Sequence, residues 1–236
     1  MNILLAIYNN QIFWTVMLTV YALLITRLTE YPFIWMRSHG VEKNVAVYYD
    51  RKIVHMLAGG VVLFAVPFVF TEGTFPFPYA FPLIIGLVLS VATLIPHLTG
   101  DLLEWVQVEK NMNEVHFCFM WGVTVFALWI VFGNPWVAII PPIFMAFGDG
   151  ITGIVRNALY QKRTKSMVGN VFMLAVTAPA GYFLAGVVGI PFWGLIAAVV
   201  ASYIERYEFG PIDDNVLITV SASLVLYLGH LIGPIG

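Results

Sequence analysis

Charge is what this chain has least of. Lys, Arg, Asp and Glu together make up 10% of its 236 residues, where a soluble domain carries about 25%. With 60% hydrophobic residues and a mean hydropathy of +0.88, this scarcity excludes an ordinary water-soluble domain. It predicts a polytopic membrane protein. Cysteine is nearly missing too. Cys118 stands alone in an apolar run, which excludes an intrachain disulfide and a cysteine metal cluster. No nucleic-acid motif is visible, so no nucleic-acid partner is expected. Met1–Asn10 lacks Lys and Arg, whereas a cleavable signal needs a basic start, so the first apolar run is expected to be a retained span. There is no internal repeat and no low-complexity stretch. The expectation is a single membrane domain over residues 1–236.

What is present is apolar sequence in lengths that fit a bilayer. Runs of roughly 17–21 residues recur near 11–28, 53–70, 79–98, 115–132, 135–157, 169–187, 190–206 and 216–233. They predict an all-α protein with about eight transmembrane helices. Trp14, Trp105, Trp136, Trp193, Tyr160 and Tyr207 fall near the expected ends, where amphipathic rings prefer to sit.

The few charges are segregated. All eleven Lys and Arg lie in or beside the loops after the first, third, fifth and seventh spans. The positive-inside rule makes that side cytosolic and puts both termini outside. Of the thirteen acids, all but Glu72 lie there as well, which the rule does not explain because acids contribute little to topology. A face crowded with both signs suits a charged, water-soluble cytosolic ligand, with a second ligand arriving from the bilayer.

The stretch Ala146–Gly169 carries the most chemistry. Asp149 lies in an apolar helix between Gly148 and Gly150. Helical spacing places Asp149, Thr152, Gly153 and Arg156 on one face. Lys162, Arg163 and Lys165 follow, then Ser166 and Gly169. An acid, bare backbone and a cationic loop are what a nucleoside triphosphate and its Mg²⁺ require. Asp149 should lie roughly 20 Å along its span, about 10 Å below the cytosolic boundary of a ~30 Å core. An unpaired carboxylate there costs several kcal/mol, so it needs a partner: Arg156, a metal, or a cation from another span. Pro141-Pro142 should kink this helix.

Other residues at the same end extend the pattern. Arg51, His55 and Gly59 share a helical face, and Lys52 adds a charge beside them. Arg forks onto phosphate oxygens and Lys acts as a point charge. Glu205 closes the seventh span. Asp213-Asp214-Asn215 offers oxygen ligands for Mg²⁺ and capping chemistry for the last span. The loop 97–116 is expected to hold a short interfacial helix around 102–108. Glu114 and His116 lead from it into the fourth span.

Three of these stretches, in this order, resemble one family. They are Arg51-Lys52-x-x-His55, then Gly148-Asp149 followed by Lys165-Ser166-x-x-Gly169, then Glu205 followed by Asp214-Asn215. Together they are similar to the CTP-dependent lipid kinases, which include dolichol kinase and phytol kinase. The resemblance covers about residues 50–225. The family's usual Gly-Arg after its aspartate is Arg156-Asn157 here, and Val168 stands where the family often has Glu. The resemblance implies phosphoryl transfer from CTP to the hydroxyl of a polyprenol-type isoprenoid alcohol. By the same carry-over Asp149 and Asp214 help hold Mg²⁺, and Arg51, Lys52 and Lys165 face the triphosphate. Gly148, Gly153, Arg156, Lys162, Arg163, Ser166 and Gly169 complete the expected nucleotide set. Asp213, Glu205 and Asn215 complete the expected metal set. His55, Glu114 and His116 are the candidates to accept the hydroxyl proton.

Two rivals use the same residues differently. A cytidylyltransferase would join CMP to a lipid phosphate. An ion-coupled transporter would use Asp149 and His55 as an intramembrane path, but such a path should also mark the outer half. There His230 is the one ionisable candidate.

Overall fold

The computed structural model describes residues 10–71, 75–162 and 164–235. Among them the chain forms helices and no strand. The order is α1 (Gln11–Leu28), α2 (Glu30–Ser38), α3 (Lys43–Val54), a π-helical segment π1 (His55–Gly60) and α4 (Val61–Val69). Next come α5 (Ala80–Thr99), α6 (Asn113–Phe132), α7 (Pro135–Ala138), α8 (Ile140–Ile143) and a second π-helical segment, π2 (Phe144–Gly148). The chain continues through α9 (Asp149–Tyr160), α10 (Met167–Gly186), α11 (Pro191–Ile204) and α12 (Asp214–Ile232).

Seven stretches among the described residues are long and apolar enough to cross a membrane: Gln11–Ser38, Lys43–Val69, Ala80–Thr99, Asn113–Phe132, Pro135–Tyr160, Met167–Gly186 and Asp214–Ile232. The eighth expected span is α11, which has 14 residues. At 1.5 Å per residue it is about 21 Å long, short of a ~30 Å hydrocarbon core. Apolar side chains such as Val16, Leu24, Val91, Ile95, Phe183 and Leu231 point outward from the bundle.

Pro135–Tyr160 is the hub. Its apolar window is 83% buried, against 11% for Gln11–Ser38. The expected kink at Pro141-Pro142 is present as a break into α7, α8 and π2, because proline lacks the N–H that a continuous helix needs. Against this hub packs π1 of the second span. A π-turn loosens the regular helical ladder and leaves carbonyls to be satisfied elsewhere, which is obligatory away from water. The Tyr21 hydroxyl donates to Leu57 O at 3.2 Å and the Trp121 indole to Gly59 O at 3.1 Å. Small residues bring the helices this close. A Cβ on Gly60 would stand 2.5 Å from the Phe147 ring, and Gly181 and Gly194 let α10 and α11 touch backbone to backbone.

Two local expectations are corrected. The second span begins helically at Lys43, ten residues before its apolar run, because Ala46, Val47, Asp50, Arg51 and Lys52 are all buried. Arg51 and Lys52 therefore lie on an enclosed helix face rather than at an open mouth. Residues 102–108 form turns instead of an interfacial helix. Gln107 accepts from Leu103 N at 3.0 Å and donates to Thr93 O at 2.8 Å, while the Trp105 indole donates to Thr26 O at 2.9 Å. These side-chain bonds pin the loop onto α1 and α5 and replace the helical ladder.

Candidate functional site

Charged residues from five elements meet at one end of the bundle. α3 supplies Arg51 and Lys52, and π1 follows with His55. α6 opens with Glu114, α9 opens with Asp149, and Glu205 and Asp214 flank the turn between α11 and α12. Asp149, Glu205 and Asp214 are all buried, and each offers an oxygen within 4.8 Å of the others. Sixty-five residues of sequence separate the first of these acids from the last, so the cluster is made by tertiary packing.

Each acid has a cation beside it. Lys52 Nζ lies 2.5 Å from Asp149 Oδ2. The partner of Asp149 thus comes from another span, and Arg156 is committed elsewhere. Its Nη1 and Nη2 donate to Glu205 Oε1 and Oε2 at 2.7 and 2.8 Å, the two-pronged geometry that favours Arg. Nη2 also donates to Asn170 Oδ1 at 3.0 Å and Nε to Ser166 O at 2.9 Å. Lys165 Nζ reaches Asp214 Oδ2 at 2.8 Å, Glu205 Oε1 at 3.2 Å and Glu208 Oε1 at 3.3 Å. Burial works against the charge on Lys165, but Asp214 and Glu205 outweigh it and hold the ammonium above its ordinary range. Arg51 Nε stands 2.9 Å from Glu114 Oε1. The Asn113 amide, turned with its oxygen toward Arg51, places its nitrogen 3.1 Å from Asp213 Oδ2.

Asp213 is the N-cap of α12, accepting from Val216 N at 3.2 Å, as the capping chemistry of its stretch predicts. His116 Nδ1 lies 3.1 Å from its other oxygen. Burial raises the Asp213 pKa and the neighbouring Asp214 charge adds to this, with His116 and the Val216 N–H pulling the other way. Asn215 is buried, and its Nδ2 donates to Asn113 O at 3.2 Å. Among the described residues, Asp149 Oδ1, Asn215 Oδ1 and both ring nitrogens of His55 have no hydrogen-bond partner.

The glycines at 148, 153 and 169 serve packing. A Cβ on Gly153 would stand 2.5 Å from Lys52 Cε, one on Gly169 2.5 Å from Arg156 Nε, and one on Gly148 2.7 Å from Thr177. The bare backbone read from sequence receives the chain's own side chains. Ser166 caps α10, accepting from Val168 N at 3.3 Å. Lys162 is exposed just beyond α9, and Arg163 lies outside the described residues. Sequence reasoning missed Asn170, Ser202 and Asn113. Asn170 donates to Glu205 Oε2 at 3.1 Å and to Ser202 O, and Ser202 Oγ donates back to Asn170 O at 2.7 Å. The signal was available: Ser202 lies three residues before Glu205, on the same helical face.

No protein-family model, curated protein or solved structure matches the chain. The function therefore has to be argued from the site itself.

The donor set fits a hard divalent cation. It consists of carboxylate oxygens, the ligands Mg²⁺ prefers, and one buried oxygen, Asp149 Oδ1, has no other partner. The three acids are matched by three cations, Lys52, Arg156 and Lys165, so the cluster is already balanced pair by pair.

Proposed function

We propose that this protein is a Mg²⁺- and CTP-dependent kinase that phosphorylates the hydroxyl of a polyprenol- or dolichol-type lipid alcohol at the cytosolic membrane face. The observation that carries this reading is the buried cluster of Asp149, Glu205 and Asp214, an all-oxygen donor set with basic side chains beside it, at the charged end of an apolar helix bundle. A divalent ion held by these acids would leave their basic partners available to a triphosphate. CTP and the isoprenoid acceptor rest on the motif resemblance. The cytosolic placement rests on the distribution of Lys and Arg.

Phosphoryl transfer asks mainly for positioning and charge neutralisation. Asp149 and Asp214, with Glu205 beside them, would hold the ion. Mg²⁺ supplies neutralisation of the nucleotide's phosphate charge. With their carboxylates engaged by the ion, Lys52 and Lys165 would be free to face the phosphates. Arg156 stays with Glu205 and holds that acid in position, as a buried two-pronged pair with Asn170 behind it. The test uses CTP labelled separately at the α- and γ-positions, offered with a prenol and with its monophosphate. γ-Label in the lipid, with CDP released, is the expected result. α-Label in the lipid with pyrophosphate released would install the cytidylyltransferase instead.

A further inference from the structure

A second feature lies directly beside the charged cluster. Between α1, π1, α5 and α6 runs a narrow slot of about 110 Å³, room for a slender chain rather than a bulky ligand. Leu23, Val62, Ile85, Leu89, Ala92 and Trp121 form its apolar walls. Its other end carries Arg51, His55 and Glu114. Arg51 and Glu114 face each other at 2.9 Å. His55 is different. It is 2% exposed, and neither ring nitrogen has a hydrogen-bond partner. Its ring is stacked on Phe117 at 4.0 Å between centroids. Nδ1 lies 3.9 Å from Asp149 Oδ2, close to the cluster yet beyond hydrogen-bond distance. An imidazole with unmet hydrogen bonds in an apolar wall is costly to bury. It is satisfied by a ligand that brings one polar group on an apolar chain.

We infer that this slot takes the hydroxyl-bearing end of one isoprenoid chain and that His55 hydrogen-bonds its hydroxyl, a proposal that rests on the kinase reading for the identity of the lipid. The neutral ring offers one donor and one acceptor, so it matches an alcohol and adds no charge beside the carboxylates. From Ile85 to Thr93 the slot follows α5 for about 12 Å at 1.5 Å per residue, well under half of a ~30 Å hydrocarbon core. Only the first part of a long chain fits. Leu23 lines the slot and is also 45% exposed on the outer face of the bundle, so the remainder of the chain leaves beside α1 into lipid. Selectivity therefore lies in the head-proximal units and in single-chain form, while chain length beyond the slot matters little. A two-chain glycerolipid would have to leave its second chain outside this slot.

The first test needs no turnover. A prenol carrying a diazirine in its head-proximal isoprene units is photolysed with the purified protein without nucleotide, and the labelled residues are mapped by mass. Labels on Leu23, Ile85, Ala92 or Trp121 are expected. Labels confined to the outward faces of α10 or α12 would overturn the slot. Ala92→Trp, and Leu89→Phe as a milder filling, should cut labelling and raise the lipid KM at least tenfold while the KM for CTP holds. An unchanged lipid KM in both variants refutes the assignment. His55→Phe keeps the stacking on Phe117 but not the hydrogen bond. It should raise the lipid KM about tenfold, with His55→Gln recovering part of the loss. Equal behaviour of the Phe variant and wild type removes His55 from the proposal. Slot labelling without any phosphoryl transfer would sink the kinase reading and leave the slot standing. Transfer with labelling elsewhere would do the reverse.

Discussion

The Lys52–Asp149 pair offers a way to tell a metal-holding carboxylate from a structural one. Both side chains are at most 4% exposed and 2.5 Å apart. Removing one partner of such a pair strands a buried charge and costs about 3–5 kcal/mol, whereas removing both is often close to neutral. Asp149→Asn and Lys52→Met should therefore each lower the thermal midpoint in detergent, and the double variant should recover most of that loss. Stability alone does not separate the two roles, but metal binding does. In the resting protein Lys52 occupies the position next to Asp149 that a divalent ion would need. If release from that competition returns even about 1.4 kcal/mol, Lys52→Met binds the ion tenfold more tightly. Mn²⁺ is a spectroscopically visible stand-in with the same preference for oxygen ligands. Titrated by electron paramagnetic resonance, Mn²⁺ should bind Lys52→Met at least as tightly as wild type. It should bind Asp149→Asn and the double variant far more weakly. A stable double variant that binds Mn²⁺ like wild type would refute the reasoning, because Asp149 would then be nothing more than an ion-pair partner.

Other expectations follow from the same contacts. Arg156→Met leaves the buried Glu205 with only Lys165 and Asn170 beside it and should cost up to about 3 kcal/mol, read as a lower midpoint, with Arg156→Lys recovering only part because one ammonium cannot replace a fork. Gly153→Ala puts a methyl group where Lys52 Cε and Cγ lie, at 2.5 and 2.8 Å. It should destabilise by about 1–3 kcal/mol and weaken Mg²⁺-dependent turnover in parallel, and a neutral result in both assays would discount the seam. Asp213 has its pKa raised by burial and by Asp214, so its contribution to stability is present at low pH and is lost as pH rises through its folded-state value. Asp213→Asn, which keeps a capping side chain, should melt higher than wild type at neutral pH, and the gain should vanish in acid. A cysteine at Thr164 in a Cys118→Ser background should resist an impermeant reagent applied outside intact cells, since labelling there would reverse the expected sidedness.

The helices were legible because a lipid-facing helix needs an uninterrupted apolar run, and those runs are long. Where the reading failed, tertiary contacts had replaced local pattern. Residues 43–52 look polar, yet α3 is helical there because its charged face closes against α9. Residues 102–108 contain a plausible apolar stripe, but Gln107 and Trp105 satisfy the backbone of neighbouring segments and hold the loop irregular. The identities of the site acids were readable from Asp149, Glu205 and Asp214 in order. Their pairing was not. The sequence left Arg156, a metal or a cation from another span open as the partner of Asp149, and the fold selects the last, giving Asp149 to Lys52, 97 residues away in sequence, and sending Arg156 to Glu205. Periodicity reports which residues share a face and carries no information on which face of another span meets it.

The resting charge pattern places a further condition on the proposed reaction. No Lys or Arg of the buried cluster stands apart from a carboxylate: Arg51 has Glu114, Lys52 has Asp149, Arg156 has Glu205, and Lys165 has Asp214, Glu205 and Glu208. A triphosphate arriving alone would have to displace carboxylates that are already well placed against their cations. Buried carboxylates do not leave cheaply. On the proposed reading the ion and the nucleotide would therefore enter as partners, the acids holding the ion and the lysines facing the phosphates. Each exchange preserves local neutrality, which is the condition for moving charge within a low-dielectric bundle. It follows that nucleotide affinity should collapse when the divalent ion is chelated, far beyond the loss of one contact. The two lysines should differ as well. Lys165 is 28% exposed at its side chain and Lys52 is 4% exposed, so solvent can compensate the loss of Lys165 but not that of Lys52. Substitution by Met at 52 should therefore be the more damaging to CTP binding, even though it strengthens binding of the ion by itself. Opposite effects of one substitution on the two ligands are what an exchange of partners demands, and a fixed cationic cradle would weaken nucleotide binding without strengthening the metal's.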